Sequence, residues 1–317
     1  MRPANAHVSK IKPMALIVSA LLFHPGQAAG ETSNWYLLEN SHFRALSDAP
    51  KEQSVALLTD LENYREAVIQ VVNIRVPAGA PKTPIILFRD RRRFNEYVPR
   101  GVAGVVMAGR KIGVIVMPAN VKVLSEGYVI RHEYVHILAL NMPLRYPRWY
   151  DEGIAEVLSL AMVEPAKSLM TFGLGSGRQR NIARGIAGFN ERLFDGQSRV
   201  NIRTDQYWYF WLVSHYLMLG RPDLRPNLER YLVARDNGEV HTVAFKRAFG
   251  KSLTQMWEDD IVPYTKTFPT FQSKIDFSGV DLDFKTRPAP PEVVGAAFIR
   301  LREYRGPKYD WREDWGE

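Results

Sequence analysis

The chain has 317 residues, 46% hydrophobic and 24% charged, a balance that supports a substantial buried core and excludes disordered and fibrous classes. It contains no cysteine, which excludes disulfide scaffolds, thiolate metal sites, thiol nucleophiles and iron–sulfur clusters, so any metal must be held by His, Asp or Glu. The formal net charge is +8, mildly basic and without the clustered stripe of a nucleic-acid reader.

At the N-terminus, Arg2, Lys10 and Lys12 precede an apolar run from Met14 to Phe23. That run is too short for a bilayer span, which needs about 20 helical residues. A helix-breaking His24-Pro25-Gly26 follows, and Gly26 and Ala28 suit the −3 and −1 positions of a signal peptidase. Residues 1–28 therefore read as a signal peptide cleaved after Ala28, against the alternative of a buried N-terminal helix or uncleaved anchor; the mature protein is expected to be periplasmic or secreted, with no stable membrane span. Losing Arg2, Lys10 and Lys12 and no acid leaves a net charge of +5. The densest basic cluster, Arg89-Asp90-Arg91-Arg92-Arg93, reads as a solvated connection, and without interleaved aromatic residues no nucleic-acid partner is expected.

Trp35 to Ser47 alternates as one or two short strands, and Lys51 to Val72 carries Val55, Leu58, Leu61, Ala67, Val68 and Val71 at helical spacing. Pro81 and Pro84 bracket an extended entry into the β-rich run Ile85 to Phe88. Val102 to Met107 and Ile112 to Met117 read as a hairpin about Ala108-Gly109-Arg110-Lys111. The period then changes to about 3.6, and Val121 to Leu140 reads as a largely buried helix. A second helix begins at Arg148. Gly173 to Gly177, with Ser176, reads as a cleft-side loop lacking the strand-turn-helix setting of a nucleotide site. Helices are expected over Tyr207 to Gly220, Leu224 to Ala234, Val240 to Phe249 and Leu253 to Tyr264. Residues 266–292 lack periodicity and end in Pro288-Ala289-Pro290-Pro291, a linker signature before a charged tail. The expected divisions are an α/β part over 29–165, a helical part over 166–265, and a linker and tail over 266–317.

The first buried helix contains Arg131-His132-Glu133-Tyr134-Val135-His136. Residues four apart stand one turn above each other, so the imidazoles of His132 and His136 can share one metal ion, with Glu133 beside it. Val129, Ile130, Val135, Ile137, Leu138 and Leu140 make this helix too apolar to leave such groups unpartnered. A catalytic zinc ion normally takes three protein ligands and keeps an open position. The second helix, Arg148-Trp149-Tyr150-Asp151-Glu152-Gly153-Ile154-Ala155-Glu156, supplies Glu152 as the third, after a connection long enough to turn back, and Gly153 permits close helix approach. Asp151 reads equally as a group that orients a ligating imidazole and as a helix cap. Glu156 can hold a motif histidine or Arg131, although a surface ion pair is the favoured expectation.

These two segments resemble the gluzincin metallopeptidases, whose pattern is H-E-x-x-H followed on the next helix by a Glu in an E-G-x-A setting. More narrowly the chain is similar to the peptidase-MA-like group of bacterial proteins, through Ser41-His42-Phe43-Arg44 with Ser47-Asp48-Ala49, Leu87-Phe88-Arg89-Asp90-Arg91, Tyr207, His215-Tyr216-Leu217, and Ala244-Phe245 with Phe249-Gly250 and Ser252. The resemblance spans about residues 34–265. Its spacing between His136 and Glu152 is shorter than in the thermolysin-like and aminopeptidase branches. It implies an α+β gluzincin-like fold with an N-terminal mixed sheet and a helical C-terminal half, and one Zn2+ per chain on His132, His136 and Glu152. It further implies hydrolysis of a peptide or protein substrate, with Glu133 as general base and Tyr207 as a hydrogen-bond donor to the oxyanion. The rest of the run Gln206 to Trp211 reads as packing or groove lining, and His215 as a helix residue that binds no metal. The competing class is a non-catalytic envelope binding or scaffold protein that retains a zinc-shaped core.

Overall fold

A computed structural model describes residues 34–72, 76, 79–98, 104–108, 113–120, 128–139, 142, 144–173, 188–196, 207–267 and 269–304. The expected signal peptide, the expected beginning of the first zinc-binding helix at Val121 and most of the Gly173 to Gly177 loop lie outside the described residues. Residues from Asn34 onward form one compact unit. Among the described residues no helix is long and apolar enough to cross a membrane.

Strands β1 (Tyr36–Glu39) and β2 (Phe43–Ser47) form an antiparallel pair that turns at Asn40, whose Oδ1 accepts from the amides of His42 and Phe43. Helix α1 (Lys51–Val72) crosses to β3 (Thr83–Phe88), which lies parallel to β2. A short helix α2 (Arg91–Phe94), capped by Asp90 onto Arg93 N, leads on to the antiparallel hairpin of β4 (Val105–Ala108) and β5 (Gly113–Pro118). With β5 parallel to β3, the mixed sheet has the order β4-β5-β3-β2-β1. The basic cluster is therefore a capped turn, in which Arg93 lies over the rings of Tyr97 and Phe298 while Arg91 and Arg92 are exposed.

Alternation along these strands builds two cores. Leu38, Phe43, Ala45, Ile85, Leu87, Ile115 and Met117 face one side, toward the first core, whereas Leu37, Leu46, Ile86, Phe88 and Val116 face a second, smaller one. The first side is covered by α1 and by two helices, α3 (Tyr128–Ala139) and α4 (Arg148–Ser159). After α4 come β6 (Met162–Glu164) and β7 (Leu169–Phe172), an antiparallel pair within the stretch around residue 166 where the sequence pattern changes to helix. Helix α5 (Tyr207–His215), buried from Trp208 through His215, continues into a π turn at Tyr216–Gly220. It is followed by α6 (Arg225–Asp236), α7 (His241–Phe249), and a segment built from α8 (Leu253–Met256), a π turn and α9 (Val262–Tyr264).

The C-terminal stretch corrects the linker expectation. Phe271–Lys274 (β8) pairs with β7 to make a three-stranded sheet, and Lys285–Pro288 (β9) pairs with β1 as the sixth strand of the main sheet. Helix α10 (Pro291–Tyr304) then covers the second side with Val294, Phe298 and Leu301. The proline cluster marks a strand end on a sheet edge and the first residue of a helix, positions where a missing N–H costs nothing.

Candidate metal centre

Helix periodicity sets the site. His132 and His136 lie on one face of α3, and their Nε2 atoms are 3.2 Å apart. Facing them, Glu152 of α4 puts Oε2 at 3.4 Å from His132 Nε2 and 3.6 Å from His136 Nε2. These three side chains can together hold a metal ion. A point equidistant from the three donor atoms lies about 2.0 Å from each, within the ~2.0–2.2 Å that imidazole and carboxylate ligands keep to a zinc-sized ion.

Helix α4 contributes more than one carboxylate. Asp151 Oδ2 is 2.9 Å from His136 Nδ1, and Glu156 Oε1 is 3.8 Å from His132 Nδ1, so each imidazole faces Glu152 with one nitrogen and a buried carboxylate with the other. Asp151 thus belongs to the histidine side of its two readings; the cap position is Pro147, which makes no side-chain cap bond. Glu156 is buried facing His132 and does not lie at the surface, because Ile154, Ala155, Val157 and Leu158 sink this stretch of the helix. Arg131 turns instead to Asp60 of α1 and to the carbonyl of Ala161, tying α3 to α1 and to the end of α4.

Close helix approach at Gly153 is toward α5 and not α3. A β-carbon there would stand 2.0 Å from Ser214 Oγ and 2.6 Å from the Phe210 carbonyl. This contact brings Tyr207, the first residue of α5, to Glu152: its hydroxyl is 3.5 Å from Oε1, the oxygen turned away from the histidines. Arg148, one turn before Glu152 on α4, sets its positive charge near the same tyrosine. Glu133 reaches toward the sheet, where Oε2 accepts the amide of Val106 on edge strand β4 at 3.1 Å.

Burial pushes the Glu133 carboxyl above the ordinary carboxylate range, although His132 and His136 pull the other way. Burial alone would do the same to Glu152, but hydrogen bonds from His132 and His136 outweigh it and hold that carboxyl well below its usual value. For His136 burial disfavours the cation, yet Asp151 and Glu152 raise it well above an ordinary imidazole. The pocket therefore favours positive charge among its three donors, as a cation site must. Burial, and then the Glu152 charge, also raises the Tyr207 phenol.

His215 stands apart, buried between the Gly173 carbonyl, 3.0 Å from Nε2, and the Tyr264 hydroxyl, 2.7 Å from Nδ1. The Val106 amide, Asp60 and Arg148 are parts of the surroundings that motif spacing did not single out. A backbone donor leaves no side-chain signal, and Asp60 lies far from Arg131 in sequence; only Arg148, four residues before Glu152, carried a readable one. No protein-family model matches the chain, and no curated protein matches it.

Proposed function

We propose that the protein is a zinc-dependent peptidase, with His132, His136 and Glu152 holding the ion and Glu133 acting as general base. The observation that carries this reading is the triangle of donor atoms with its two carboxylate-backed imidazoles, beside a half-buried acid that is not itself a member of the triangle. Two nitrogens and one carboxylate oxygen are a donor set that suits zinc and leaves one position open. When bound, zinc supplies Lewis acidity toward water and the scissile carbonyl.

The chain's own groups do the rest. The Val106 amide fixes Glu133 through Oε2, and burial makes its carboxylate a stronger proton acceptor than a solvated one. Glu133 takes the proton of the attacking water and returns it to the leaving amine, restoring its charge after each cycle. The Tyr207 hydroxyl, beside Glu152, donates to the oxygen on which negative charge develops. Asp151 and Glu156 keep the two imidazoles in register.

Metal content by mass spectrometry on the full-length protein, followed by a peptide-library digest, tests the reading. Near one zinc per chain, lost in Glu152→Ala, with cleavage that a chelator abolishes, is the expected result. Stoichiometric zinc without turnover on any peptide would leave the non-catalytic reading, and no zinc after reconstitution would remove both.

A further inference from the structure

Helix α4 is held at both ends, and the hold at its beginning runs through groups that the ion site does not use. Trp149, fully buried, donates Nε1–H to the Tyr231 hydroxyl of α6 at 2.9 Å. That hydroxyl lies 2.9 Å from Nδ1 of His241, the buried first residue of α7. On the far side of the imidazole, Nε2 faces Oε1 of Glu191, in the turn Glu191–Phe194, at 3.6 Å. The other Glu191 oxygen accepts the amide of Thr254 on α8 at 3.2 Å and its hydroxyl at 2.5 Å. Neither His241 Nε2 nor Glu191 Oε1 has a hydrogen-bond partner among the described residues, so the two answer only to each other.

This relay has one direction. An indole N–H can only donate, so the Tyr231 oxygen accepts from Trp149 and gives its own proton to His241 Nδ1. His241 is thereby fixed as the tautomer with its proton on Nε2, pointed at the Glu191 carboxylate. Phe194 and Phe245 wrap the groups, with ring centroids 5.3 Å from Trp149 and 5.5 Å from Tyr231. In such an apolar sleeve a broken link leaves a buried polar group unpaired, so Trp149 follows Tyr231 and His241.

Buried polar groups need partners in any core, and a backbone carbonyl would serve the indole as well. A local carbonyl would not join the beginning of α4 to two helices of the C-terminal half. Glu152 stands three residues beyond Trp149, about 4.5 Å along the helix axis. Past the other end of α4, Arg131, the neighbour of His132, donates to the Ala161 carbonyl at 2.8 Å. Pinning both ends sets the rotation of α4 about its own axis, and that rotation decides how far Glu152 Oε2 stands from the two histidines. We propose that Trp149, Tyr231 and His241 are positioning residues, a hydrogen-bonded relay through which α6 and α7 set the angle of α4 and so the reach of Glu152 to the ion. The inference rests on the ion site of the proposed function and not on turnover. Coupling of this kind is reciprocal, so an ion that draws on Glu152 is felt at His241.

Zinc affinity by chelator competition, and the absorption spectrum of the cobalt-substituted protein, are measured on the full-length chain and on Tyr231→Phe, His241→Leu and His241→Asn, each below its melting temperature. Tyr231→Phe keeps the ring and removes both links, whereas His241→Asn keeps an acceptor where Nδ1 stood. Tyr231→Phe and His241→Leu are each expected to weaken zinc binding by about 3–30-fold and to alter the cobalt spectrum. Their double variant should lose no more than either alone, because one relay is broken in each case. His241→Asn should recover most of the affinity. A lowered melting temperature with the parent's zinc affinity and cobalt spectrum makes the relay a core network only and overturns the inference; losses that multiply in the double variant also overturn it. Where a variant does not fold, the parent decides. Zinc should shift the imidazole nitrogen resonances of His241 while the proton stays on Nε2, and resonances unmoved by zinc, or a proton on Nδ1, overturn the inference. These outcomes leave the proposed function standing. A parent that takes up neither zinc nor cobalt overturns that function and the inference together.

Discussion

Both imidazoles of the triad are held at each end by carboxylates of one helix: His136 between Asp151 and Glu152, His132 between Glu156 and Glu152. Removing an outer carboxylate leaves the ligand in place but frees its ring to rotate and lowers its basicity. Asp151→Asn and Glu156→Gln are therefore expected to weaken zinc binding by about 10–100-fold in a chelator competition, with the larger effect for Asp151, whose contact is closer. Unchanged affinity in both variants would deny them this role. Glu133→Gln should retain the zinc and lose turnover by at least about 100-fold, since the amide keeps the size of the side chain but cannot accept a proton. Tyr207→Phe should lower kcat by about 10²–10³ with little change in KM if its hydroxyl serves the oxyanion; a variant as active as the parent would return Tyr207 to packing. At this scale the grouping of His132, His136 and Glu152 was legible: helical period puts the two histidines on one face, and the following helix offers Glu152 after a connection long enough to turn back. The clamp of Arg131 on Asp60 and the support of Glu133 by Val106 were not, since one joins residues 71 positions apart and the other is made by backbone.

Between elements, the decisive contact is α4 against α5. Gly153 ordinarily costs its helix about 1 kcal/mol relative to alanine, so Gly153→Ala would stabilise an isolated α4. In the fold the added methyl meets Ser214 Oγ and the Phe210 carbonyl at distances no packing tolerates, and a backbone oxygen cannot rotate away. Overpacking of this kind costs about 1–3 kcal/mol or more, which exceeds the gain in propensity. Gly153→Ala is thus expected to lower the melting temperature and, by moving Glu152 away from the histidines, to weaken zinc binding; a variant with raised stability and full zinc would show that α4 and α5 do not meet here. Helices such as α1, α3, α4 and α7 were legible from apolar spacing, and the β4–β5 hairpin from its two β-branched runs. The strands β8 and β9, Phe271-Gln272-Ser273-Lys274 and Lys285-Thr286-Arg287-Pro288, were not. They are short, mostly polar edge strands whose pairing is made by main-chain groups, and nothing in their side chains announces so distant a partner along the chain.

Across the whole molecule, stability should depend on pH through His215 and on integrity of the C-terminus. Burial lowers the His215 pKa to about 4, against an ordinary 6.5, while Nε2–H donates to the Gly173 carbonyl and Nδ1 accepts from Tyr264. The unfolded chain therefore takes up a proton that the folded one refuses between these values; the stabilisation is fully present above about pH 6.5 and is lost as the pH falls toward 4. The difference amounts to about 3 kcal/mol. Denaturant unfolding of the parent and of His215→Gln at several pH values should show a shallower acid decline in the variant, and parallel curves would refute the assignment. Deleting residues from 285 onward is the larger perturbation. It removes β9 from beside β1 and takes Val294, Phe298 and Leu301 off a face formed by Trp35, Ile86, Phe88 and Tyr97. At about 1.5–3 kcal/mol per buried side chain, those three residues contribute roughly 5–9 kcal/mol, comparable with the net stability of a whole domain. A dispensable linker and tail would leave solubility, melting temperature and zinc content untouched. The packed α10 predicts instead that the truncated chain is insoluble, and that the single change Phe298→Ala, which keeps the β9 pairing, lowers stability by about 3–5 kcal/mol while the proposed zinc site, on the opposite side of the sheet, still fills below the melting temperature.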